Sequence, residues 1–457
     1  MKNTGKNLTA RVVMAATAAA TLAVMTGCGL GTAGKDSGPV QMQIKSFTGS
    51  VHGGRQPIVG ASIHLYKSFV TADSTYTGTS TDLLASAGIV TGPAGQFTIT
   101  SQYSCSPGDQ MYIVALGGDT GFGGAGSGTN NQAAIMAALG DCTTITAGTR
   151  FIQMNEVTTV GAVFALAPFM TSYASVGTSS TNVAGLKAAF VNADKLVDVT
   201  GGAAGGPQLA TNATAPTTQI YTLADILASC VNTTGGAAGN DVNHTSDGTH
   251  CGDLFSYTTR TGSGNVPPTD TIGLALKIAK DPTLNAGTLL NYADAFTPYT
   301  PRLTNPPTDW ALAISYSGFN TPVTSTVDGS GNIWVANSGN NTVSVLAQNG
   351  TTAQTLNGNG LSTPTAIAID SGGNAWVADN GSNTVSAFTA SGGIFGSSPF
   401  SVGPAGANPS SLAFDSTGSL WVTNQGANTV VQLSSTGATL QTLSGFSTPV
   451  AVVVDSK

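Results

Sequence analysis

"GNIWVANSGNNTVSV", Gly331 to Val345, returns as "GNAWVADNGSNTVSA" from Gly373 and as "GSLWVTNQGANTVVQ" from Gly418. Each copy holds two short alternating runs separated by Gly, Asn and Ser, the pattern of antiparallel strands joined by tight turns. The landmarks around them keep step. Asp328, Asp370, Asp415 and Asp455 stand 42, 45 and 40 residues apart. Trp334, Trp376 and Trp421 each follow their Asp by six residues, Asn341, Asn383 and Asn428 by thirteen, and Pro322, Pro364, Pro409 and Pro449 precede it by six. A repeat of about 40–45 residues built from short strands is the period of a propeller blade. Within one unit "AIAID" reads as the inner strand, "SGGN" as a turn, "AWVAD" as the second strand, "NGSN" as a turn and "TVSAF" as the third. The Trp is expected to fill the space between neighbouring blades, and the Asp and Asn to cap turns through their own side chains.

This pattern resembles the NHL-repeat and streptogramin-lyase-like propeller families over residues 309–457. The units run over about 321–362, 363–407 and 408–447, with a partial one at 448–457, in a repeat segment that begins at 303. Three units and two fragments fall short of the roughly four to eight blades of a closed ring. The expectation is that the chain continues past Lys457, with an open arc or a ring completed by a second chain as alternatives. The resemblance implies His and Glu for lyase chemistry, or Glu, Asp and Asn around a metal for lactonase chemistry. Residues 303–456 contain no His, Glu, Lys or Arg. The remaining candidate bases are Asp309, Asp328, Asp370, Asp379, Asp415 and Asp455, and four of these are the repeated turn positions. A group repeated in every unit reads as architecture, with calcium or sugar at turns such as "DGSGN" as the alternative. RNA binding, known for some NHL propellers, needs basic residues this segment lacks.

At the other end, Lys2, Lys6 and Arg11 precede the apolar run "VVMAATAAATLAVM" and then "TGC", the order of an export signal. Val24 to Cys28 resembles the lipobox of bacterial lipoproteins. This implies cleavage after Gly27, acylation of Cys28 and a membrane partner reached through that lipid. Gly29 in place of Asp favours the outer membrane in a host that has one. Loss of residues 1–27 removes three basic and no acidic residues, taking the net charge from −7 to −10. Such a surface does not attract nucleic acid. Charged residues make up only 8% of the chain, against roughly 25% in an average protein, so hydroxyls and amides must supply solubility.

Between these ends a tether, 28–38, leads to a β-rich segment, 39–128. There "MQIKSFTGSV", "ASIHLYK", "GQFTIT" and "MYIVAL" alternate as strands, and the pattern resembles a carboxypeptidase-regulatory-like, transthyretin-type sandwich, usually a spacer. Residues 129–302 carry Ala and Leu at helical spacing in "QAAIMAAL", "VGAVFALAPFMTSYASV", "NVAGLKAAFVNADKLVD", "TLADILASCVN", "IGLALKIA" and "LLNYADAF", and predict a mainly helical domain. Helix starts are expected at Thr222, ahead of Asp225, and at Asp270. The fold class is therefore multidomain: a small β-sandwich, a disulfide-stapled mainly α domain and a partial β-propeller of about three to four blades. Four cysteines besides Cys28 in an exported chain predict two disulfides. Of the three pairings, Cys105–Cys142 and Cys230–Cys251 keep each bridge local.

Few residues outside the repeat offer chemistry. Glu156, the only Glu, stands at the head of an apolar helix with Arg150 as its expected partner. Asp241, His244, Asp247 and His250 are ligand-type residues whose spacing matches no known metal site. His52 and His64 are expected at the surface. The sequence gives no catalytic residue, metal or cofactor, and the expected function is binding or scaffolding at the cell envelope, with protein or carbohydrate as ligand. The alternative is a lyase-like or lactonase-like enzyme whose catalytic blades lie beyond residue 457.

Overall fold

A computed structural model describes residues 42–43, 45–72, 77–100, 103–121, 128–146, 150–239, 241–295 and 297–455. The expected signal segment, the tether and Cys28 lie outside them. The described residues form many small, mostly antiparallel sheets and seven helices, with no helix long and apolar enough to cross a membrane.

The first part begins with strands β1 (Phe47–Gly53), β2 (Ser62–Lys67), β3 (Thr81–Asp82), β4 (Gln96–Ile99), β5 (Gln110–Leu116), β6 (Ala134–Asp141) and β7 (Phe151–Met154). One antiparallel sheet has the order β6-β5-β2-β3, and in a second β1 lies between antiparallel β4 and parallel β7. The helices are α1 (Cys142–Thr146), α2 (Glu156–Leu166), α3 (Val183–Leu196), α4 (Thr217–Val231), α5 (His250–Tyr257), α6 (Thr271–Lys280) and α7 (Ala286–Ala293). Helix α2 is buried along most of its length, its Glu156, Thr158 and Thr159 included, and it packs against β6, α3, α4 and α6. Asn155 closes its N-terminus in a capping box with Thr158. Gly161 lets the chain beside it approach, since a Cβ there would lie 2.4 Å from Val197.

Three expectations are corrected here. "QAAIMAAL" forms strand β6 and not a helix, because an unbroken apolar run carries neither period and only its neighbours decide between them. The boundary at 128/129 does not separate two cores. Strand β6 pairs with β5 across it, β7 pairs with β1, and one hydrophobic core runs from Phe47 to Trp310. The sheets bury apolar faces that only the helices cover, so neither segment closes a core alone. Thr222 lies inside α4, which starts at Thr217; its hydroxyl donates to the Thr218 carbonyl at 2.7 Å. Asp270 caps α6 and accepts from the Gly273 N–H at 2.7 Å. The disulfides are Cys105–Cys142 and Cys230–Cys251, closing sequence separations of 37 and 21 residues.

The second part is three consecutive four-stranded antiparallel sheets. Blade one is β8 (Pro322–Val327), β9 (Ile333–Asn337), β10 (Thr342–Leu346) and β11 (Thr352–Leu356). Blade two is β12 (Pro364–Ile369), β13 (Ala375–Asp379), β14 (Thr384–Phe388) and β15 (Phe400–Ser401). Blade three is β16 (Pro409–Phe414), β17 (Leu420–Asn424), β18 (Thr429–Leu433) and β19 (Thr439–Leu443). The inner strands β8, β12 and β16 lie side by side, as the blades of a propeller do. The fourth strands escape sequence reading because they are short or polar and exposed, and so lack the alternation that marks the other three.

Blade one meets the first part directly. Ser315–Tyr316 pairs with Ala213–Thr214, and Lys195 Nζ on α3 donates to the Gln348 carbonyl at 3.3 Å. Gly350, at φ +87°, turns under the ring of Tyr316, where a Cβ would lie 2.2 Å from the ring.

Candidate functional site

Three of the four repeated Asp side chains, at 328, 370 and 415, are consumed by their own blades. Asp328 Oδ1 accepts from the N–H groups of Ser330 and Asn332 at 2.8 and 2.9 Å, and Oδ2 accepts from Trp334 Nε1 at 2.9 Å. Asp370 does the same with Gly372, Asn374 and Trp376, and Asp415 with Thr417, Ser419 and Trp421. These donors hold the Asp328 carboxyl below the usual range despite partial burial, and that of Asp415 down at about 2. The carboxylate thus ties a turn to the indole six residues on, and the indole fills the interblade space. Trp334 packs with Ile367, Ala375 and Val377 of blade two, and Trp376 meets Phe414 of blade three edge-on at 5.9 Å.

The Asn of each "NTV" triplet behaves differently from expectation. Asn341, Asn383 and Asn428 adopt left-handed backbone with φ of 55°, 62° and 58°. Their Oδ1 atoms accept from the N–H of Thr363, Asn408 and Thr448, each in the following unit, at 2.7, 3.1 and 2.7 Å. The side chain therefore staples one blade to the next and does not cap its own turn. Asn383→Gly keeps the backbone conformation and loses the staple, so it is expected to cost about 1 kcal/mol in urea unfolding. Asn383→Ala adds strain at positive φ and is expected to cost more.

Asp379 breaks the repeat, because the equivalent positions are Asn337 and Asn424. It is wholly buried and accepts from the Ser386 hydroxyl, the Ser386 N–H and the Ser362 N–H. Burial pushes its carboxyl up to about 7. It has no exposed surface.

Outside the blades the structure disperses the ligand-type residues. Asp241 accepts from the Thr245 N–H, Asp247 from the Ala237 N–H, buried His244 bonds the Arg260 carbonyl through Nε2, and His250 meets Tyr292 edge-on. Glu156 does not pair with Arg150. It accepts from the Gly54 N–H at 2.9 Å and from the Tyr299 hydroxyl at 2.6 Å, and Asp225 accepts from the Tyr299 N–H. Burial, outweighing these donors, pushes both Glu156 and Asp225 up to about 7. Neither His52 nor His64 is a free surface residue: His52 bonds Gln153 at 2.8 Å, and His64 bonds both Ser62 and Asp82.

A groove along α3 is the feature that sequence reading missed. One cavity of 530 Å³ is lined by Gln110, Asp141, Arg150, Lys187 and Asp194. A second, of 660 Å³, adds Lys195 together with Gln348 and Asn349 of blade one. Lys187 and Gln208 line both. The available signal was two of the chain's few lysines, Lys187 and Lys195, within one predicted helix. Leu139, Phe190 and Val191 give the groove a largely apolar wall, with ammonium, carboxylate and amide groups set into it.

No family model matches the chain, and no curated protein matches it. Among solved structures, a streptogramin B lyase is 20% identical over 29% of this chain and 44% of its own, with a TM-score of 0.27. Virginiamycin B lyase from Staphylococcus aureus is 18% identical over 31% and 48%, with a TM-score of 0.28. Hydrazine synthase from Kuenenia stuttgartiensis is 16% identical over 30% and 39%, with a TM-score of 0.27. The chain spans less than half the length of each of these structures.

Proposed function

We propose that the chain is an exported envelope protein, anchored through an acylated Cys28, whose NHL-type blades serve as a binding or scaffolding module without chemistry of their own. The first part as a whole, with its single core, stands between the membrane and the blades. One observation carries this reading: the carboxylates of Asp328, Asp370 and Asp415 are spent on their own turns and indoles, in a segment without His, Glu, Lys or Arg. What the blades offer a partner is amide and hydroxyl, which fits carbohydrate or protein bound by hydrogen bonds. The groove where Lys187 and Lys195 meet Gln348 and Asn349 is the assigned contact point.

A glycan array probed with the full chain, in calcium and in chelator, tests the carbohydrate version. A bound glycan at about 100 times its Kd is expected to raise stability by about 2.7 kcal/mol, read as a higher melting temperature. Lys187→Ala and Gln348→Ala are each expected to weaken it about tenfold, or about 1.4 kcal/mol. Binding that ignores both substitutions moves the site elsewhere, and an empty array removes carbohydrate as the ligand. The anchor is tested separately by the intact mass of the protein from its native membrane fraction, where a diacyl or triacyl group on Cys28 is expected.

A further inference from the structure

Strand β2 puts Ser62 and His64 two residues apart, and so on one face of the sheet. Their contact is direct, with Ser62 Oγ 3.0 Å from His64 Nε2. The pairing of β2 with β3 sets Tyr66 opposite Asp82 and brings the carboxylate to the other ring nitrogen, with Asp82 Oδ2 2.7 Å from His64 Nδ1. Asp82 is itself held, because its Oδ1 accepts from the Leu84 N–H at 2.9 Å. The imidazole stacks on Tyr66 at 6.0 Å, and Tyr66 stacks on Tyr112 at 5.2 Å.

A carboxylate on Nδ1 keeps the proton there and turns the Nε2 lone pair toward the serine hydroxyl. A hydroxyl, a base within hydrogen-bond reach and a third group orienting the base are the parts of an activated nucleophile. A purely structural link from β3 to β2 needs only the His64–Asp82 contact, and Ser62 adds nothing to it. The side chains of His64 and Asp82 are 24% and 16% exposed, shielded yet within reach of a small molecule. Ser62 is itself half-buried, at the edge where Val90 bridges to it.

We propose that Ser62, His64 and Asp82 form a base-activated nucleophile that accepts the acyl group of a small carboxylic ester. Ser62 Oγ bonds to the ester carbonyl carbon while its proton passes to His64 Nε2. The bond from that carbon to the alkoxy oxygen breaks, and the departing oxygen takes the proton from His64 to leave as the alcohol. Water then attacks the acyl carbon and gives its proton to His64; the bond from that carbon to Ser62 Oγ breaks, the carboxylic acid leaves, and Ser62 Oγ takes the proton back from His64. Asp82 is a positioning residue. This site lies on the sheet of the first part and is independent of the binding reading for the blades.

The test is labelling of the full chain by a fluorophosphonate probe, which replaces the serine proton and loses fluoride. Trypsin releases Ser62 in the peptide "QPIVGASIHLYK", residues 56–67, which has one serine and no threonine or cysteine. The expected result is an adduct on that peptide, absent in Ser62→Ala and formed on the order of 100-fold more slowly in His64→Gln. Asp82→Asn is expected to move the pH dependence of labelling, which a structural role would not do. Variants are compared at matched circular dichroism, and Ser62→Ala, a half-exposed and conservative change, guards against loss of fold. No adduct on that peptide, or one formed as fast in His64→Gln, overturns the proposal.

Discussion

Trp376→Ala is expected to destabilise the blades by about 4 kcal/mol, whereas Trp421→Ala, at the equivalent position one blade later, is expected to cost about 1 kcal/mol. The difference comes from what each indole touches. Trp376 is fully buried, stacked on Phe400 at 5.3 Å, tilted against Phe395 at 5.4 Å and met by Phe414 of the next blade. Trp421 is only half-buried, and Val454, its counterpart to Phe414, is 39% exposed. Both make the same bond to their Asp, so the contrast isolates interblade packing from the turn. Urea unfolding followed by circular dichroism decides it. Equal losses at the two positions would mean that interblade filling is not what the Trp supplies. Trp376→Phe, which keeps much of the packing and loses the Asp370 bond, is expected to cost no more than Trp421→Ala.

The protein is expected to be more stable near pH 5 than near pH 8, with Glu156 supplying about 3 kcal/mol of the difference. The sign follows from the raised carboxyls. Glu156 goes from 4.5 to about 7 on folding, and Asp225 and Asp379 from 3.8 to about 7. Their contribution is fully present below the unfolded values and is lost as pH rises through about 7. Glu156 and Asp225 sense one another across Tyr299, so their midpoints belong to the pair. His52, lowered by burial, acts in the opposite direction as pH falls through its range. Asp415, held at about 2, loses its favourable contribution only below about pH 4, outside this window. Glu156→Gln cannot ionise and is expected to remove about a third of the slope between pH 5 and 8 in urea midpoints, with Asp225 and Asp379 supplying the rest. A flat wild-type profile, or a slope unchanged in Glu156→Gln, would show that the carboxyl is not held neutral by its burial.

The three blades were legible because their signal is local and repeated. Asp, Trp and Asn recur at fixed offsets, and strand alternation is written into each run of five or six residues. The cysteine pairs were legible for a similar reason, since each bridge spans a short separation. The helical pattern of 183–196 and the cap at Asp270 belong with them, as periodicity and capping depend on neighbours within a turn or two.

What the chain does beyond that range was decided by tertiary structure. The run "QAAIMAAL" became a strand because β5 pairs with it and α2 covers it, and its own residues favour neither period. Glu156 took its partner from Tyr299, 143 residues away, while nearby Arg150 turned to the Leu139 carbonyl. Asn341 reaches the next blade because a left-handed backbone aims its side chain there, a direction that composition does not encode. Ser62 and His64 are neighbours in sequence, yet only strand register adds Asp82 and sets the order of the three. By itself the sequence determined the repeat, its period and the residue types each blade carries, since those rest on interactions a few residues long. The choice of partner for each buried polar group was left to the fold, because desolvation and hydrogen bonding are set by whatever the packed chain brings within about 3 Å.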